Sequence, residues 1–499
     1  MKIAVEGCCH GELDKTYAEL ARIERETNQK ADALIICGDF QAIRNQSDLL
    51  CMAVPQKYRQ LGQFHHYYTG KKVAPVLTLV IGGNHEASNY MWELYHGGWL
   101  APNIYYLGGS NCVRLNGVRI AGCSGIYKDR DYHMGHFETI PYDNSALRSV
   151  YHVRAYDVLK LSLLTPGLGV CISHDWPEGI YKHGDVKWLI SKKPFFEEDI
   201  NKGELGNPYM METLRTLRPQ WWLSAHLHVR FQAEVRHTGN DLDQQQQGST
   251  SKGSGVLQQQ NEKRLNSDEI VMEEEDEPAE PVKSTKKPQE PLQQQNADEI
   301  VMEDEDDPPV PSTVESTQPP ASSTTDATSA TSIVDPLTAT TKFLALDKCV
   351  PRRRFLEIID VSTPVPVPDH APPKLTFDPE WLAISRAMHP LLSTERRSTV
   401  PPRLSLAQNW VQKELEWIKD RLKQKKAAES SPQAEAASGG GGGDEAVDLE
   451  ISSIQQFVMT APGPSRGGGG PPLLWYTNPQ TEAFCDLIGV ENKVNCKPI

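Results

Sequence analysis

The chain has 499 residues and a formal net charge of −15, but its acidity is local: residues 237–340 carry 22 Asp and Glu against 6 Lys and Arg, which leaves +1 for the rest. The overall acidic balance therefore does not exclude a nucleic-acid partner, because partner electrostatics follow the local field. Ten scattered cysteines exclude a secreted disulfide framework, and no apolar stretch reaches the ~18 residues of a membrane span or forms a signal peptide, so a soluble intracellular chain long enough for two or three domains is expected.

Residues 1 to about 236 alternate strand-like and helix-like runs, the pattern of a layered α/β fold. The first apolar run, Ile3-Ala4-Val5, ends at Cys8-Cys9-His10. A helix is predicted over Leu13–Arg25, where Tyr17, Leu20, Ala21 and Glu24 share helical spacing. The run Ala33–Cys37 ends at Gly38-Asp39, and Pro75–Ile81 ends at Gly83-Asn84-His85-Glu86. A hairpin is predicted over Cys112–Gly122, because Asn116-Gly117 supplies the positive φ angles of a two-residue turn. Two further runs, Gly169–Ile172 and Trp221–Ala225, end at His174 and at His226-Leu227-His228. All five runs read as short buried strands, and the carboxyl ends of strands are where α/β proteins place their chemistry.

The segment 124–156 is dense in Tyr, His and Arg. Tyr127, Lys128, Arg130, Tyr132, Arg148 and Arg154 suit the stacking of splayed bases and the pairing of phosphates in single-stranded RNA. A polar loop packed by its own aromatics accounts for the composition equally well. From His237 the chain turns to glutamine, serine, proline and acidic runs, with Asp268–Glu273 repeated as Asp298–Glu303. Such a segment buries too little apolar surface to fold, so 237–340 is expected to be a disordered insertion. Strand-like runs on either side suggest a long loop between neighbouring strands, which costs little because closure entropy grows slowly with length.

Order is expected again over 341–425, first as a strand that completes the domain and then as helix from Asp378 to Lys425, where Leu406, Trp410, Val411, Leu415, Ile418 and Leu422 share a face. Gly-rich stretches at 439–443 and 467–470 mark 426–499 as a largely disordered tail, ending in a short motif, Asn478–Val490, that is either a helix or a peptide docked on a partner. The acidic insertion and this motif are the candidates for a protein partner.

Hydrolysis of a phosphodiester near neutral pH requires an activated water and neutralisation of phosphoryl charge, which two bridged cations supply together. The strand-end residues match the ligand inventory for such a pair, with Asp39 as the natural bridge. Singly each is unremarkable, since Gly-Asp is a common turn and a buried cysteine usually packs as a small hydrophobe. Five elements at five strand ends carry the inference.

The elements Cys8-Cys9-His10, Gly38-Asp39, Gly83-Asn84-His85-Glu86, His174 and Ala225-His226-Leu227-His228 resemble the calcineurin-like metallophosphoesterases, whose signature is D-x-H, G-D, G-N-H-[DE], a lone His and G-H-x-H. Cys8 stands in the first aspartate's place and Ala225 in a glycine's. With the surrounding GCCHGELDK, CGDFQA, GGNHEASN, SGIYKDRDY and SHDWP, the cysteine narrows the resemblance to the lariat debranching branch of that superfamily. The resemblance implies a β-sandwich flanked by helices with a C-terminal helical extension. It implies one metal held by Cys8, His10, Asp39 and His228, another by Asp39, Asn84, His174 and His226, and His85 as general acid. The metals would be Fe²⁺ and Zn²⁺ with Mn²⁺ as a substitute, since a thiolate disfavours Mg²⁺.

The implied substrate is branched RNA, hydrolysed at its 2′–5′ bond by an activated water, with 124–156 as a lariat recognition loop and the nucleus, or nucleus and cytoplasm by shuttling, as location. The motifs alone reach only a two-metal phosphoester hydrolase. A phosphodiesterase for another nucleotide or nucleic acid, or a non-catalytic scaffold of the same fold, stays open at this point.

Overall fold

The computed structural model describes residues 1–237, 339–364, 372–429, 448–465 and 470–495. The body of the acidic insertion, with its repeated motif, lies outside these residues. Thirteen strands are described: β1 (Lys2–Glu6), β2 (Ala33–Ile36), β3 (Thr78–Val80), β4 (Gly98–Ala101), β5 (Ile104–Tyr106), β6 (Ser110–Leu115), β7 (Val118–Cys123), β8 (Val170–Ser173), β9 (Trp221–Ser224), β10 (Phe231–Arg236), β11 (Thr340–Ala345), β12 (Leu356–Asp360) and β13 (Leu375–Phe377). They form a six-stranded sheet in the order β12-β1-β2-β3-β5-β4 and a seven-stranded sheet in the order β10-β11-β9-β8-β7-β6-β13. All five apolar runs expected to be strands are strands.

Each sheet has a parallel centre, β1-β2-β3-β5 in one and β7-β8-β9-β11 in the other, with antiparallel strands outside. Parallel strands buried on both faces read as continuous apolar runs, which is why Ala33–Ile36 shows no polar alternation. Ile3, Val5, Ile35 and Leu79 join Ile120, Val170, Ile172, Leu223 and Phe343 in one core drawn from both sheets. Ala4, Leu34, Ile36 and Val80 point the other way, onto Leu13, Tyr17 and Leu20 of the helix Leu13–Thr27. Each such aliphatic side chain contributes roughly 1.5–3 kcal/mol when fully buried.

The hairpin forms where Asn-Gly predicts it: Leu115 pairs with Val118 across Asn116 (φ 50°) and Gly117 (φ 80°). β10 and β11 are antiparallel neighbours at the edge of the seven-stranded sheet, and their last pair is Arg236 with Thr340, so the insertion leaves and re-enters at one end of that pair. The predicted C-terminal helix is two helices, Pro379–Met388 and Leu404–Glu429. Asp378 caps the first by accepting from Trp381 N at 3.0 Å, with Pro379 in the first turn, where its missing N–H costs nothing.

The expectation of a largely disordered tail is corrected for 448–465 and 470–495, which pack on the domain. Phe377 N donates to Leu449 O, and Ile451 and Gln455 are fully buried. Thr460 bonds Glu93 at 2.6 Å and accepts from Arg44 at 3.0 Å, while Asn45 Nδ2 donates to Pro462 O, so this strap covers the loop that follows Asp39. The Asn478–Val490 motif is the helix Pro479–Ile488, with Phe484, Leu487 and Ile488 buried in the main core. It docks on its own chain because β4 is a sheet edge: Gln480 Oε1 accepts from Trp99 N at 2.7 Å and Gln480 Nε2 donates to Trp99 O at 2.9 Å, pairing backbone that an edge leaves open. Gln480→Ala is expected to destabilise the fold by about 2 kcal/mol, since it strands these backbone groups; urea unfolding checks this.

Candidate metal centre

Five strand ends deliver the candidate ligands: β1 leads to Cys8 and His10, β2 to Asp39, β3 to Asn84 and His85, β8 to His174, and β9 to His226 and His228. Turning from strand into site forces a left-handed backbone at His10 (φ 48°), Asp39 (φ 46°), His226 (φ 63°) and His228 (φ 47°). Such strain costs roughly 1–3 kcal/mol per residue and persists only where the surroundings impose it. Two glycines make the approach possible. A Cβ on Gly38 (φ 113°) would run into the His174 imidazole, and one on Gly83 into Asp39 Oδ1.

The ligand atoms of Cys8, His10, Asp39 and His228 lie within 4.8 Å of one another. His10 Nε2 is 3.2 Å from His228 Nε2 and 3.7 Å from Asp39 Oδ2. On the other side of Asp39, His174 Nε2 is 3.2 Å from Asn84 Oδ1 and 3.4 Å from Asp39 Oδ1. His226 joins this side with its ring centroid 5.1 Å from that of His174. The seven expected ligands thus fall into two groups that share Asp39.

The donor chemistry fits cations. Burial drives His10 down to about 4 and His228 well below the usual imidazole range, and it lowers His174 as well, so all three are neutral and offer lone pairs. His174 Nδ1 donates to Cys37 O at 2.8 Å, which leaves Nε2 without a proton. Nε2, Asn84 Oδ1 and Asp39 Oδ1 then turn three lone pairs toward one another, an arrangement that suits a cation. Burial and the nearby Asp39 push the Cys8 thiol well above its ordinary range, so its thiolate needs a positive ion in contact. Burial opposes the Asp39 charge too, yet the imidazoles of His174, His85 and His10 hold its carboxyl well below the usual range.

His85, the residue expected to act as acid, lies against the same carboxylate, with an exposure close to the 27 % of His10. Its N–H donates to Asp39 Oδ1 at 2.9 Å, its Nδ1 lies 3.2 Å from Asp39 Oδ2, and its side chain is 24 % exposed where that of His174 is fully buried. Glu86, quoted in the sequence motif without a role, binds the two loops together: its carboxylate accepts from Phe40 N, Gln41 N and Gly83 N at 2.7, 2.8 and 3.0 Å. The acidic fourth position of the G-N-H-E motif was its signal.

The 124–156 segment borders the Asn84 and His174 side. A cleft lined by Gly83, Glu86, Ser124, Tyr151 and His152 joins it to the β3 end, and Tyr127 N donates to Asp175, next to His174. His136 pins it to the buried Asp157 at 3.1 Å. Two of the six expected RNA contacts are corrected. Arg154 is fully buried, 2.5 Å from Glu138 and bonded to the carbonyls of Asp131 and Ser149, while Tyr132 is buried in a stack on Tyr209 with centroids 3.8 Å apart. Arg154 ties the loop together from inside, and Tyr132 anchors it to the helix Pro208–Leu217. Arg130 and Arg148 are exposed, and Tyr127 and Lys128 half-buried.

Residues 1–230 match the family described as calcineurin-like phosphoesterase, and residues 338–493 match the lariat debranching enzyme C-terminal domain, which runs through the packed tail segments. The chain is 38 % identical to the lariat debranching enzyme of Schizosaccharomyces pombe over all of this chain and 98 % of that protein. It is 36 % identical to the Homo sapiens lariat debranching enzyme over 98 % of this chain and 69 % of the relative, and 38 % identical to that of Arabidopsis thaliana over 85 % and 76 %. Gly83→Ala is expected to weaken metal affinity about 10–100-fold by displacing Asp39, read as metal content after reconstitution with folding checked by circular dichroism.

Proposed function

The chain belongs to the lariat debranching enzymes, and from that premise we propose that it hydrolyses the 2′–5′ phosphodiester at the branch point of excised introns, leaving a linear RNA and a free 2′-hydroxyl. The observation that carries this reading is the cluster of Cys8, His10, Asp39 and His228, with a cysteine where the wider phosphoesterase signature has aspartate.

Two divalent cations bound between the seven ligands would supply Lewis acidity, lowering the pKa of a water and neutralising charge on the phosphate. Cys8, His10, Asp39 and His228 are assigned to one, and Asp39, Asn84, His174 and His226 to the other. The sulfur of Cys8 favours Fe²⁺ or Zn²⁺ in its pocket, with Mn²⁺ as a substitute. His85, fixed by Asp39 at the mouth of the site, is the group assigned to protonate the departing 2′ oxygen. Tyr127, Lys128, Arg130 and Arg148 are the surface candidates for bases and phosphates flanking the branch.

No described helix is long and apolar enough to cross a membrane. Location in the nucleus, with shuttling to the cytoplasm as the alternative, follows from a role in intron turnover. With the C-terminal motif folded on its own domain, the acidic insertion is the remaining candidate for docking a protein.

Metal-loaded protein is expected to cleave a branched RNA at its 2′–5′ bond and to spare the linear 3′–5′ isomer; equal cleavage of the two contradicts the reading. His85→Ala is expected to lower kcat about 10²–10⁴-fold with bound metal retained, measured by single-turnover cleavage beside metal analysis.

A further inference from the structure

The turn from β11 to β12 passes beside the ligands of β1. Lys348 forms an isolated parallel bridge with Cys8, and Cys349 N donates to Cys8 O at 3.0 Å, so the backbone here is fastened to a metal ligand. The Lys348 ammonium is near enough to His10 and His228 to disfavour a positive charge on either. It makes no ion pair among the described residues. Three consecutive arginines follow. Arg352 is exposed, sits in the left-handed region (φ 66°) and also has no ion pair among the described residues. Arg353 is 3.4 Å from Asp347, and Arg354, with its side chain 65 % exposed, is 2.8 Å from Glu357.

Between 347 and 357 four cations accompany two carboxylates, one of which, Glu357, also pairs with Arg230. Lys193, after the helix Val186–Lys192, adds a fifth. Burial, joined by the charges of Arg353 and Lys348 and only partly opposed by Asp347, drives its ammonium down to about 8. Positive charge is therefore crowded on this rim beyond what its own carboxylates balance.

The two rims differ. The 124–156 loop borders Asn84 and His174, whereas this basic turn borders Cys8, His10 and His228. We propose that the turn Lys348–Arg354 is a second RNA grip, binding the phosphodiester backbone of one arm of the branched substrate while the 124–156 loop holds another. The proposal rests on the debranching reading and deepens it: a branch point joins three strand segments at one nucleotide, and a site with two separate grips gains affinity from a branched RNA that a linear one does not supply. Lys348 takes the phosphate nearest the metals, and Arg352 and Arg353 take those farther along the arm.

The test is equilibrium binding of a labelled branched RNA and its linear isomer to full-length His85→Ala protein loaded with Mn²⁺, titrated with salt. Adding Arg352→Ala or Lys348→Gln is expected to lower the slope of log affinity against log salt by about 0.7 each and to weaken branched RNA about 3–10-fold, more than the linear isomer, with Arg352→Lys restoring the parent slope. Slopes and affinities equal to the parent's overturn the grip, as does an equal loss for branched and linear RNA. Failure of the debranching reading shows separately, as equal cleavage of the two RNAs by the unsubstituted chain.

Discussion

The Asp39 carboxylate is the constraint on which the site depends. It is nearly inaccessible to solvent, lies within 3.4 Å of His174 and 3.7 Å of His10, and receives the backbone N–H of His85. A lone buried carboxylate would be neutral or strongly destabilising. Here it is flanked by imidazoles that favour its charge and by an amide oxygen and a thiol that offer only lone pairs. Cations on both sides would resolve that conflict, and residues 1–230 match the calcineurin-like phosphoesterase family.

Much of the surrounding structure serves to keep Asp39 and its partners at these distances. Gly38 and Gly83 remove the two side-chain carbons that would separate Asp39 from His174, and Glu86 bonds the loops after β2 and β3 to each other. The left-handed turns at four ligands are the conformational cost of aiming side chains back over the strand ends. The next layer out is the C-terminal strap, whose Thr460 completes the buried Arg44, Asp48 and Glu93 network beneath the loop that carries Asp39. A segment more than 400 residues downstream thus buttresses the loop that carries Asp39.

The strands and the convergence of their terminal residues were legible because each signal is local: an apolar run, then glycine or a polar punctuation, then a candidate ligand. Asn116-Gly117 was legible for the same reason. What stayed hidden depends on distant partners. Arg148 and Arg154 look alike in sequence, and only the fold distinguishes the exposed one from the one sealed against Glu138. Glycine runs on either side made the tail look unfolded, because Trp99, Glu93 and His96, which receive its last helix, lie nearly 400 residues away. The basic turn was visible only as part of a returning strand, since nothing in KCVPRRRF says that its lysine lies against Cys8.

The proposed site is one donor set for two cations that share Asp39, with Cys8 contributing sulfur to one of them. Anomalous diffraction from crystals of the metal-reconstituted chain tests it most directly. Two peaks about 3.5–4 Å apart on either side of Asp39 are expected, one of them in bonding contact with Cys8 Sγ. A single peak, or two peaks with the Cys8 sulfur bound to neither, would contradict a shared two-cation site.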